Sequence, residues 1–576
     1  MKNPTPANPT MTDTLLFEHF ATLATAPEGI ARLRELILQL AVQGKLGTQD
    51  ARDEPASVLL ARIRKEKEQY VRDGKIKKGR SLEPIKNDEI PFDLPKGWDW
   101  TKLDSVSHFV NGFAFSSADF LSQGVGVIRI GDIQNERILK DGMVFVDNKN
   151  LESLDNCFQV GHDDLVIAMS GATTGKLGFN KTDEIFLLNQ RVGKIEFILI
   201  DKIFGYYYLS TKIKENLAIS SGSAIPNLST MQITNLLFPL PPLAEQHRIV
   251  QKVDRLMALC DELEARQQQE RAGCLKLGNG SLKGLQNAES PEEFGRQWAR
   301  VCDAFDLILD CPENVAMLRQ TILQLAVLGQ MDTHDPKDEP VEKIIERIRK
   351  AKERLVKDGK IKPEKKLESE NETEKPFAIP KTWKWMKLSA ISAFVTDGDH
   401  YPPQRVLKGI PHLTAKNVRD KKLNLIGCTF ISHEDFEKVK MRYEPREDDV
   451  IITCVGTIGQ TAIVPPNFVF SADRNLAAIR LIDDTFLPKF LQMILNASYW
   501  QYKVMTGSES TAQPHLYLKD LRSFCIPLPP LSEQHRIVAK VDALMALCDA
   551  LESRLKERAG VQGKMAGAVV KQVAGG

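Results

Sequence analysis

The chain carries nearly the same sequence twice, and this duplication limits what it can fold into. Residues 239–266 and residues 527–554 differ at five positions and are otherwise identical. A second matched pair of segments begins at Leu33 and at Leu318, with an offset of 285 residues against 288 for the first pair. Because the repeated segments span about half of the chain, the sequence predicts a duplicated unit with pseudo-two-fold symmetry in place of one continuous core.

Composition excludes several classes of protein. The 576 residues carry a formal net charge of +1, so any surface for nucleic acid is expected to be local. No apolar stretch is long enough to span a membrane, and the N-terminal residues lack the pattern of a secretion signal. The nine cysteines contain no CxxC pair. We therefore expect a cytoplasmic protein with no disulfide, no zinc site and no membrane partner.

The first matched pair of segments has the pattern of a helix with one apolar seam. Apolar residues recur at spacings of 4, 3, 4 and 3, which is typical of a helix packed against another helix. A helix of about 25 residues is about 38 Å long, close to the ~34 Å that separates DNA half-sites one turn apart. The pattern therefore predicts two matched spacer helices. The seam residues are Ile249, Val253, Leu256, Cys260 and Leu263 in the first copy and Ile537, Val541, Leu544, Cys548 and Leu551 in the second.

The order of the helical segments indicates a unit that is circularly permuted across the chain ends. The chain begins in the middle of the helical series, with the segment at Leu33, and the matching spacer segment lies near the C-terminus. We therefore predict that residues 12–90 pack against residues 529–560 and close a ring.

A tryptophan pair stands at the start of each divergent region. The first pair is Trp98 and Trp100, and the second is Trp383 and Trp385. Residues two apart lie on one face of an extended strand. Exposed aromatic rings can stack on bases, but tryptophans at the start of a domain more often fill its core, so we favour the core interpretation.

Two basic segments precede the tryptophan pairs. Lysines and arginines are concentrated in residues 62–78 and 347–360, with glutamates interspersed among them. This mixture favours a solvated helix face over a row of phosphate contacts, which stays the alternative.

The regions between the repeated segments, residues 91–240 and 376–528, share only a skeleton. In both, short β-rich stretches alternate with glycine and asparagine turns. Apolar strand positions agree in type, whereas the intervening polar residues differ. Two domains with one frame and different polar loops can bind two different ligands of one class.

With these segments the sequence resembles a known family, the specificity subunits of type I restriction–modification systems. The twice-occurring P-F-x-[LI]-P-x-x-W-x-W-x-x-L, PLPPLxEQHRIV and ILQLAVxGxx segments carry the resemblance, which extends over nearly the whole chain. It implies an α+β fold in which two β-rich mixed target recognition domains are separated by two long antiparallel coiled-coil spacers, pseudo-two-fold and circularly permuted. The implied boundaries are 91–240 and 376–528 for the recognition domains, 241–375 for the central spacer, and 1–90 with 529–576 for the distal spacer.

The resemblance also implies a function and partners. Such a subunit would bind double-stranded DNA at a bipartite, asymmetric target, each recognition domain reading one half-site while the helices set the spacing. It would assemble with two modification (methyltransferase) subunits and two restriction (motor-nuclease) subunits, on which S-adenosylmethionine, ATP and magnesium are expected. The partner-docking candidates are the repeated polar residues at the start of the spacer helices: Glu245, Gln246, His247, Arg248, Glu533, Gln534, His535 and Arg536.

Candidate DNA contacts are chosen by residue type and by position in loops. Base edges are most often read by Arg, Lys, Asn, Gln, Ser and Thr, and a solvated turn or a strand cap is the alternative for each candidate. The candidates of the first domain are Arg129, Ser170, Thr173, Thr174, Lys176, Asn189, Gln190, Arg191 and Asn227. Those of the second are His412, Lys416, Thr453, Thr457, Arg474, Asn475 and His515. The Gly-Ser turns that begin at Ser221 and Gly507 are further candidate loops.

The sequence lacks the motifs of a catalyst. Residues 171–176, GATTGK, resemble a phosphate-binding loop, but three residues instead of four separate the glycines, and Leu177 stands where Ser or Thr would bind magnesium. There is no NPPF or DPPY motif, and the ten histidines show no metal-ligand spacing. We therefore expect methylation and cleavage to be performed by other chains.

Two other functions stay open at the level of sequence. A coiled-coil scaffold that binds only proteins would account for the helices but not for two differently decorated β-rich domains. The chain could also be the DNA-recognition part of a different methyltransferase assembly. A stand-alone nuclease–methyltransferase is disfavoured because the motifs for a methyl donor and a metal are missing.

Overall fold

The chain forms two compact units, each with one copy of the duplicated sequence. The first unit comprises residues 1–268 and 558–576, and the second comprises residues 269–557. The computed structural model describes residues 20, 22–76, 82–134, 136–171, 173–219, 227–288, 291–361, 376–400, 403–506 and 515–575.

Each unit joins a helical region to a β-rich domain. The helices that begin in the first unit are Gly29–Val42, Ala56–Arg72, Leu103–Val106, Asn150–Ser153, Lys202–Ile219, Thr230–Thr234 and Leu243–Gln286. Its strands are Asp99–Lys102, Ser107–Asn111, Val125–Ile128, Ile133–Gln134, Glu136–Ile138, Val144–Val146, Gln159–Val160, Leu165–Ala168, Leu177–Phe179, Phe186–Leu188, Val192–Phe197 and Leu237–Leu240.

The second unit repeats this order. The helices that begin in it are Pro291–Asp303, Phe305–Leu309, Pro312–Val327, Val341–Lys357, Leu388–Ile391, His433–Val439, Pro488–Asn496, Ser498–Thr506, Leu518–Ser523 and Leu531–Gly575. Its strands are Lys384–Lys387, Ser392–Asp397, Arg405–Val406, Ile410–Leu413, Val418–Arg419, Lys422–Leu423, Thr429–Ile431, Val450–Thr453, Thr461–Ile463, Ser471–Ala472, Leu476–Leu481 and Cys525–Leu528.

Both β-rich domains share an arrangement of two main sheets. In the first domain, four antiparallel strands are ordered Ser107–Asn111, Val192–Phe197, Leu165–Ala168 and Leu177–Phe179, and the sheet is extended to six strands by Glu136–Ile138, parallel to Leu177–Phe179, and by Ile133–Gln134. The corresponding sheet of the second domain has four antiparallel strands in the same order. A second, four-stranded sheet contains one parallel pair, Val125–Ile128 with Phe186–Leu188, which recurs in the second unit. Apolar residues of both sheets form one core, so the predicted α+β fold with two β-rich domains and helical spacers is confirmed.

A two-stranded ribbon closes each β-rich domain at its base. Asp99–Lys102 pairs antiparallel with Leu237–Leu240, and Lys384–Lys387 pairs with Cys525–Leu528. Two prolines follow each closing strand and lead directly into a long helix. The chain therefore enters and leaves each domain at one place, next to the start of its spacer helix.

The two spacer helices, Leu243–Gln286 and Leu531–Gly575, are longer than predicted. They contain 44 and 45 residues, against the expected 25 or so, and each is about 66 Å long. The apolar seam is buried as predicted, with Ile249 and Val253 at 0% exposure. Its partners in the first unit are the helices Gly29–Val42 and Ala56–Arg72. In the second unit the corresponding partners are Pro312–Val327 and Val341–Lys357.

The predicted pairing of residues 12–90 with residues 529–560 is wrong for residues 529–557, whereas residues from 558 onwards belong to the same unit as residues 12–90. The described residues of 12–90 share their core with the first spacer helix, and residues 529–557 share theirs with the helices that precede the second domain. The end of the C-terminal helix packs against the N-terminal helices. Ala566 and Val573 join the core of the first unit, and Arg32 donates a hydrogen bond to the carbonyl of Gly563 (2.9 Å). Each helical region thus packs on the spacer helix that follows it in sequence, because the intervening domain brings its two ends together.

The cysteines behave as expected in part. Cys260 and Cys548 are buried in the helical seams. However, Cys274 and Cys311 form a disulfide pair, so the prediction that no disulfide is present is wrong. The spacer helix runs past the turn before Pro312–Val327, which brings the two Cα atoms to 6.5 Å.

Candidate nucleic-acid interface

Four loops of the first β-rich domain meet at one end of its sheets. The amide of Met169 donates to the carbonyl of Arg191 (2.9 Å), and the amide of Leu228 donates to the carbonyl of Met169 (2.8 Å). The amide of Asn189 donates to the carbonyl of Ile128 (3.2 Å). We call the segments that these bonds join the apical loops of the first domain: residues 128–132, 169–176, 189–191 and 227–228.

The second domain has the same main-chain bonds. The amide of Cys454 donates to Asn475 (2.8 Å), and the amide of Leu516 donates to Cys454 (2.9 Å). The amide of Asp473 donates to Leu413 (2.9 Å). The apical loops of the second domain are residues 413–417, 454–460, 473–475 and 515–516.

A glycine after the strand Ser107–Asn111, and another after Ser392–Asp397, lets the chain approach these loops. A Cβ atom at Gly112 would lie 2.1 Å from the carbonyl oxygen of Asn189, and one at Gly398 would lie 2.1 Å from that of Ala472. No side chain fits at that separation, so glycine is required. The residue before each glycine is therefore held against the apical loops.

All nine candidates of the first domain lie in its apical loops. Lys176, Gln190, Arg191 and Asn227 are exposed, and Asn189 is half-buried. Four side chains are thus free to face a ligand, and they come from three separate segments that the sequence alone could not bring together.

The other candidates of the first domain shape the loops. Thr173 donates to the carbonyl of Ile130 (2.8 Å), and Thr174, which is buried, donates to the carbonyl of Gly171 (2.6 Å). Arg129 is half-exposed and donates to the carbonyl of Gly142 (2.7 Å). Ser170 bridges to Asn227 through the main chain. Thr173 and the main chain of Ser170 thus join separate apical loops, whereas Thr174 stabilises its own loop and Arg129 contacts Gly142 outside them. Because Thr174 is buried, the prediction that it contacts DNA is wrong.

Of the second-domain candidates, three are exposed. Lys416, Thr457 and Arg474 are exposed in the apical loops, and Asn475 is half-buried. His515 is half-buried, with its ring 4.3 Å from that of Tyr517.

Two second-domain candidates are buried, and the prediction that they contact DNA is wrong. His412 is 1% exposed, and its Nδ1 lies 3.1 Å from Ser471 Oγ. Burial, reinforced by the charge of Arg405, lowers the pKa of His412 to about 4, so the imidazole is neutral. Thr453 is 0% exposed and accepts a hydrogen bond from the amide of Gln460 (2.9 Å). The pleat of each strand turns these side chains into the domain.

The Gly-Ser turns that begin at Ser221 and Gly507 cannot be placed. Residues 220–226 and 507–514 lie outside the described residues.

Sequence reasoning missed the residues that precede the two glycines. In the first domain Asn111 donates to Thr230 Oγ1 (2.8 Å). In the second domain Asp397 instead accepts from Arg442 Nε (3.1 Å), and its Oδ2 lies 2.9 Å from His400 Nε2. The signal was available, since an Asn-Gly and an Asp-Gly pair occupy matching places in the two copies.

Most of the partner-docking candidates face their own unit. Glu245 is 1% exposed and accepts hydrogen bonds from Trp98 Nε1 (2.8 Å) and Thr48 Oγ1 (2.9 Å). Burial raises the pKa of Glu245, although the hydrogen bonds from Trp98 and Thr48 oppose the shift. The core interpretation of Trp98 is confirmed, because its ring is 5% exposed. The second copy repeats the arrangement with Glu533, Trp383 and Thr333.

The neighbouring glutamine and arginine act in the same way. Gln246 donates to the carbonyl of Pro241 (3.0 Å) and accepts from the amide of Asp201 (2.9 Å). Arg248 donates to the carbonyl of Thr48 (2.9 Å) and pairs with Asp53. Gln534 and Arg536 make the corresponding contacts in the second unit.

The docking prediction is therefore wrong for Glu245, Gln246, Glu533 and Gln534, which are at most 1% exposed, and stays a prediction for the two arginines and the two histidines. The first turn of each spacer helix lies against its own domain because it directly follows the closing strand. Its polar side chains there accept hydrogen bonds from buried donors, such as the indole of Trp98. Only His247 and His535 are exposed. We call the six buried or half-buried residues, together with their tryptophan, threonine and aspartate partners, the latch of each unit.

The segment that resembles a phosphate-binding loop in sequence lacks the helix that follows such a loop. The segment 171–176 joins the antiparallel strands Leu165–Ala168 and Leu177–Phe179, so no helix N-terminus follows it to bind phosphates. Among the described residues, no group of three or more His, Cys, Asp or Glu side chains could hold a metal ion. None of the helices in the described part of the chain has the length and apolar character needed to cross a membrane.

The chain is similar to known proteins over most of its length. The chain matches the type I restriction modification DNA specificity domain twice, over residues 95–271 and 380–559. The EcoAI specificity subunit of a type I restriction enzyme from Escherichia coli is 31% identical over 561 residues, covering 92% of this chain and 91% of the relative. The EcoEI specificity subunit, also from Escherichia coli, is 30% identical over 577 residues, covering 94% and 93%. The crystal structure of the HsdS subunit from Thermoanaerobacter tengcongensis aligns over 84% of this chain and 98% of that one, with 18% identity and a TM-score of 0.41.

Two loop-bearing domains on helical spacers, each matching a DNA specificity domain, define a class of protein that recognises DNA sequence. The chain belongs to the type I restriction–modification specificity subunits.

Proposed function

We propose that each recognition domain reads one half of a bipartite, asymmetric DNA target through its apical loops. One observation carries the proposal: the same main-chain bonds hold both sets of loops, while the exposed side chains differ. Gln190 and Arg474 occupy corresponding positions in the two domains. Gln190 follows Asn189, and Arg474 follows Asp473, and the amides of these two preceding residues make the same hydrogen bond to a neighbouring strand. An amide and a guanidinium in one frame favour different bases, adenine and guanine respectively.

Charge in the apical loops supports contact with a polyanion. Lys176 and Arg191 are exposed in the first domain, and Lys416 and Arg474 are exposed in the second. Neutralised phosphates release counterions, so binding should weaken as salt rises. A local cluster of this kind is compatible with the overall charge of +1.

Replacement of residues 189–191 by alanine should abolish discrimination at one half-site only. Each well-formed base contact contributes about 1–3 kcal/mol, so preference at the first half should fall about 10-fold or more. The measurement is selection from a random duplex pool with the complex of this chain and its modification subunit.

The matched control is Arg474→Ala, which should affect only the other half-site. Equal loss at both halves for either variant would contradict the assignment of one domain to one half-site. A wild-type complex that enriches no split sequence would favour a protein scaffold.

The spacer helices are proposed to dock two modification subunits, and the duplication indicates where. The positions at which the two copies differ all lie on the exposed side of the helix, within an arc about 80° wide around its axis. These five positions are 244/532, 251/539, 255/543, 262/550 and 265/553. A surface that binds the same subunit twice cannot depend on residues that differ. Leu259 and Leu547 lie beside this arc, are 50% and 67% exposed, and are identical.

Leu259→Asp and Leu547→Asp should each remove one modification subunit from the complex. A charge at an apolar contact that is buried on assembly costs several kcal/mol. Native mass spectrometry should show two modification subunits on the wild-type chain, one on each single variant and none on the double variant. Gln251→Ala copies the second helix and should leave the stoichiometry at two, whereas full assembly of the double variant would place docking elsewhere.

Catalysis is proposed to lie on the partner subunits. The modification subunits would bind S-adenosylmethionine, and two restriction subunits would bind ATP and magnesium. The proposal is supported by the absence of metal-holding side-chain groups among the described residues and by the strand-to-strand geometry of segment 171–176. We propose that the assembly acts in the cytoplasm, where it would meet double-stranded DNA.

A further inference from the structure

The second recognition domain contains a cavity among its apical loops. The cavity has a volume of about 490 Å³. Cys454, Arg474 and His515 of the apical loops line it, together with Asp397, His400 and Tyr517. It therefore opens among the same loops that are proposed to face DNA.

A carboxylate is fixed in the wall of this cavity. Asp397 is 15% exposed and receives hydrogen bonds from Arg442, whose Nε lies 3.1 Å from Oδ1. His400 Nε2 lies 2.9 Å from both Asp397 Oδ2 and Arg442 Nη2. Burial raises the pKa of Asp397, but the hydrogen bonds from Arg442 and His400 outweigh it and the pKa lies below its usual value. Arg442 and His400 thus hold the Asp397 carboxylate in one orientation as a hydrogen-bond acceptor.

The first domain differs at this position. There Asn111 takes the place of Asp397, because each precedes the glycine that contacts the apical loops. Asn111 and Thr230 hydrogen-bond to each other, at 2.8 and 3.0 Å. Leu518 stands in the second domain where Thr230 stands in the first, and a leucine cannot close the space by such a bond. The acceptor is therefore particular to the second domain.

The chemistry of the cavity selects among the groups that DNA offers. A carboxylate repels phosphates but accepts from an exocyclic amino group, and Asp is suited to cytosine N4 in the major groove. Arg474 is exposed on the same cavity, and arginine pairs in a bidentate manner with guanine O6 and N7. The two side chains together match the two edges of one base pair.

We propose that Asp397 and Arg474 read a single G·C pair in the half-site of the second domain, with Arg442 and His400 as positioning residues for Asp397. Asp397 accepts from the cytosine amino group, and Arg474 donates to the guanine. This assignment deepens the proposed function and rests on it, since it presumes that the second domain reads one half-site.

The test is Asp397→Asn in the complex with the modification subunit, selected against a random duplex pool. An amide keeps the size of the side chain but no longer offers two acceptor oxygens. The wild type should show a cytosine preference of about 10-fold or more at one position, which should fall below about 3-fold in the variant. All other positions in both halves should keep their preferences.

Two further variants keep the result decisive. Glu437→Gln removes a charge from an exposed helix of the same domain, where the side chain is 62% exposed, and should change no preference. Arg474→Gln changes an exposed residue that folding does not require, and should relax guanine at the same base pair even if Asp397→Asn folds poorly.

Three results would overturn the inference. The cytosine preference could persist in Asp397→Asn, affinity could fall equally for all sequences, or Asp397→Asn and Arg474→Gln could act on different base pairs. If the wild type enriches a split target, these results leave the proposed function intact. If the wild type enriches none, the proposed function fails and the inference fails with it.

Discussion

Replacement of Glu245 by alanine is expected to lower the free energy of unfolding around the first spacer helix by about 3 kcal/mol. The substitution leaves the indole N–H of Trp98 and the hydroxyl of Thr48 buried without an acceptor. Each buried donor without an acceptor costs about 1–3 kcal/mol. The substitution also removes the cost of burying the Glu245 carboxyl group, which offsets part of the cost of the two unsatisfied donors. Amide hydrogen exchange of peptides from residues 243–264 should accelerate about 100-fold, because 1.4 kcal/mol corresponds to a factor of ten.

The duplicated helix supplies the control for this substitution. Glu262 is exposed on the same helix, and Ala550 stands at its place in the second copy. Glu262→Ala should therefore change stability by less than about 0.5 kcal/mol. Glu533→Ala should accelerate exchange in the second spacer helix and not in the first. Similar effects of Glu245→Ala and Glu262→Ala would show that the latch does not stabilise the helix start.

Acid should destabilise the second recognition domain through His412. The folded pKa of about 4 lies below the ordinary value of 6.5, so the unfolded chain binds a proton more readily than the folded one. The stabilising contribution of the neutral imidazole is complete above about pH 6.5 and is lost as the pH falls towards 4. It amounts to about 3 kcal/mol across this window.

The first domain indicates how to remove this pH dependence. Val127 pairs with Leu187 at the position where His412 pairs with Ser471. The double variant His412→Val/Ser471→Leu copies that apolar pair. Between pH 7 and pH 4 its free energy of unfolding should decrease by about 3 kcal/mol less than that of the wild type. Denaturant unfolding of wild type and variant at pH 7 and pH 4 gives the comparison. Parallel loss in the two proteins would assign the acid sensitivity to other groups.

The main features of the fold could be predicted from the sequence. The duplication predicted two similar domains. The apolar residues at Ile249 and Val253 predicted the buried face of the spacer helix, because residues that repeat about every 3.5 positions lie on one side of a helix and pack against another helix. Helix length was underestimated, since the strict repeat ends near residue 266 while the helix continues to Gln286.

The candidate site could be predicted as a region but not residue by residue. Loop positions such as Gln190 and Arg474 are exposed as expected. His412 was misplaced because a two-residue alternation does not say which face of a short strand meets the second sheet. Asp397 was missed because its partner Arg442 is 45 residues away in sequence.

The sequence by itself determined that two similar domains alternate with two nearly identical helices, because a repeat that preserves its apolar period must bury the same seam twice. Only the tertiary structure decided the role of the polar residues at each helix start. Glu245 and Glu533 look exposed in a helical pattern, yet each is 1% exposed because a tryptophan from the domain entrance needs an acceptor. Long-range hydrogen bonds of this kind depend on how the domain brings its two ends together, which local sequence patterns do not encode.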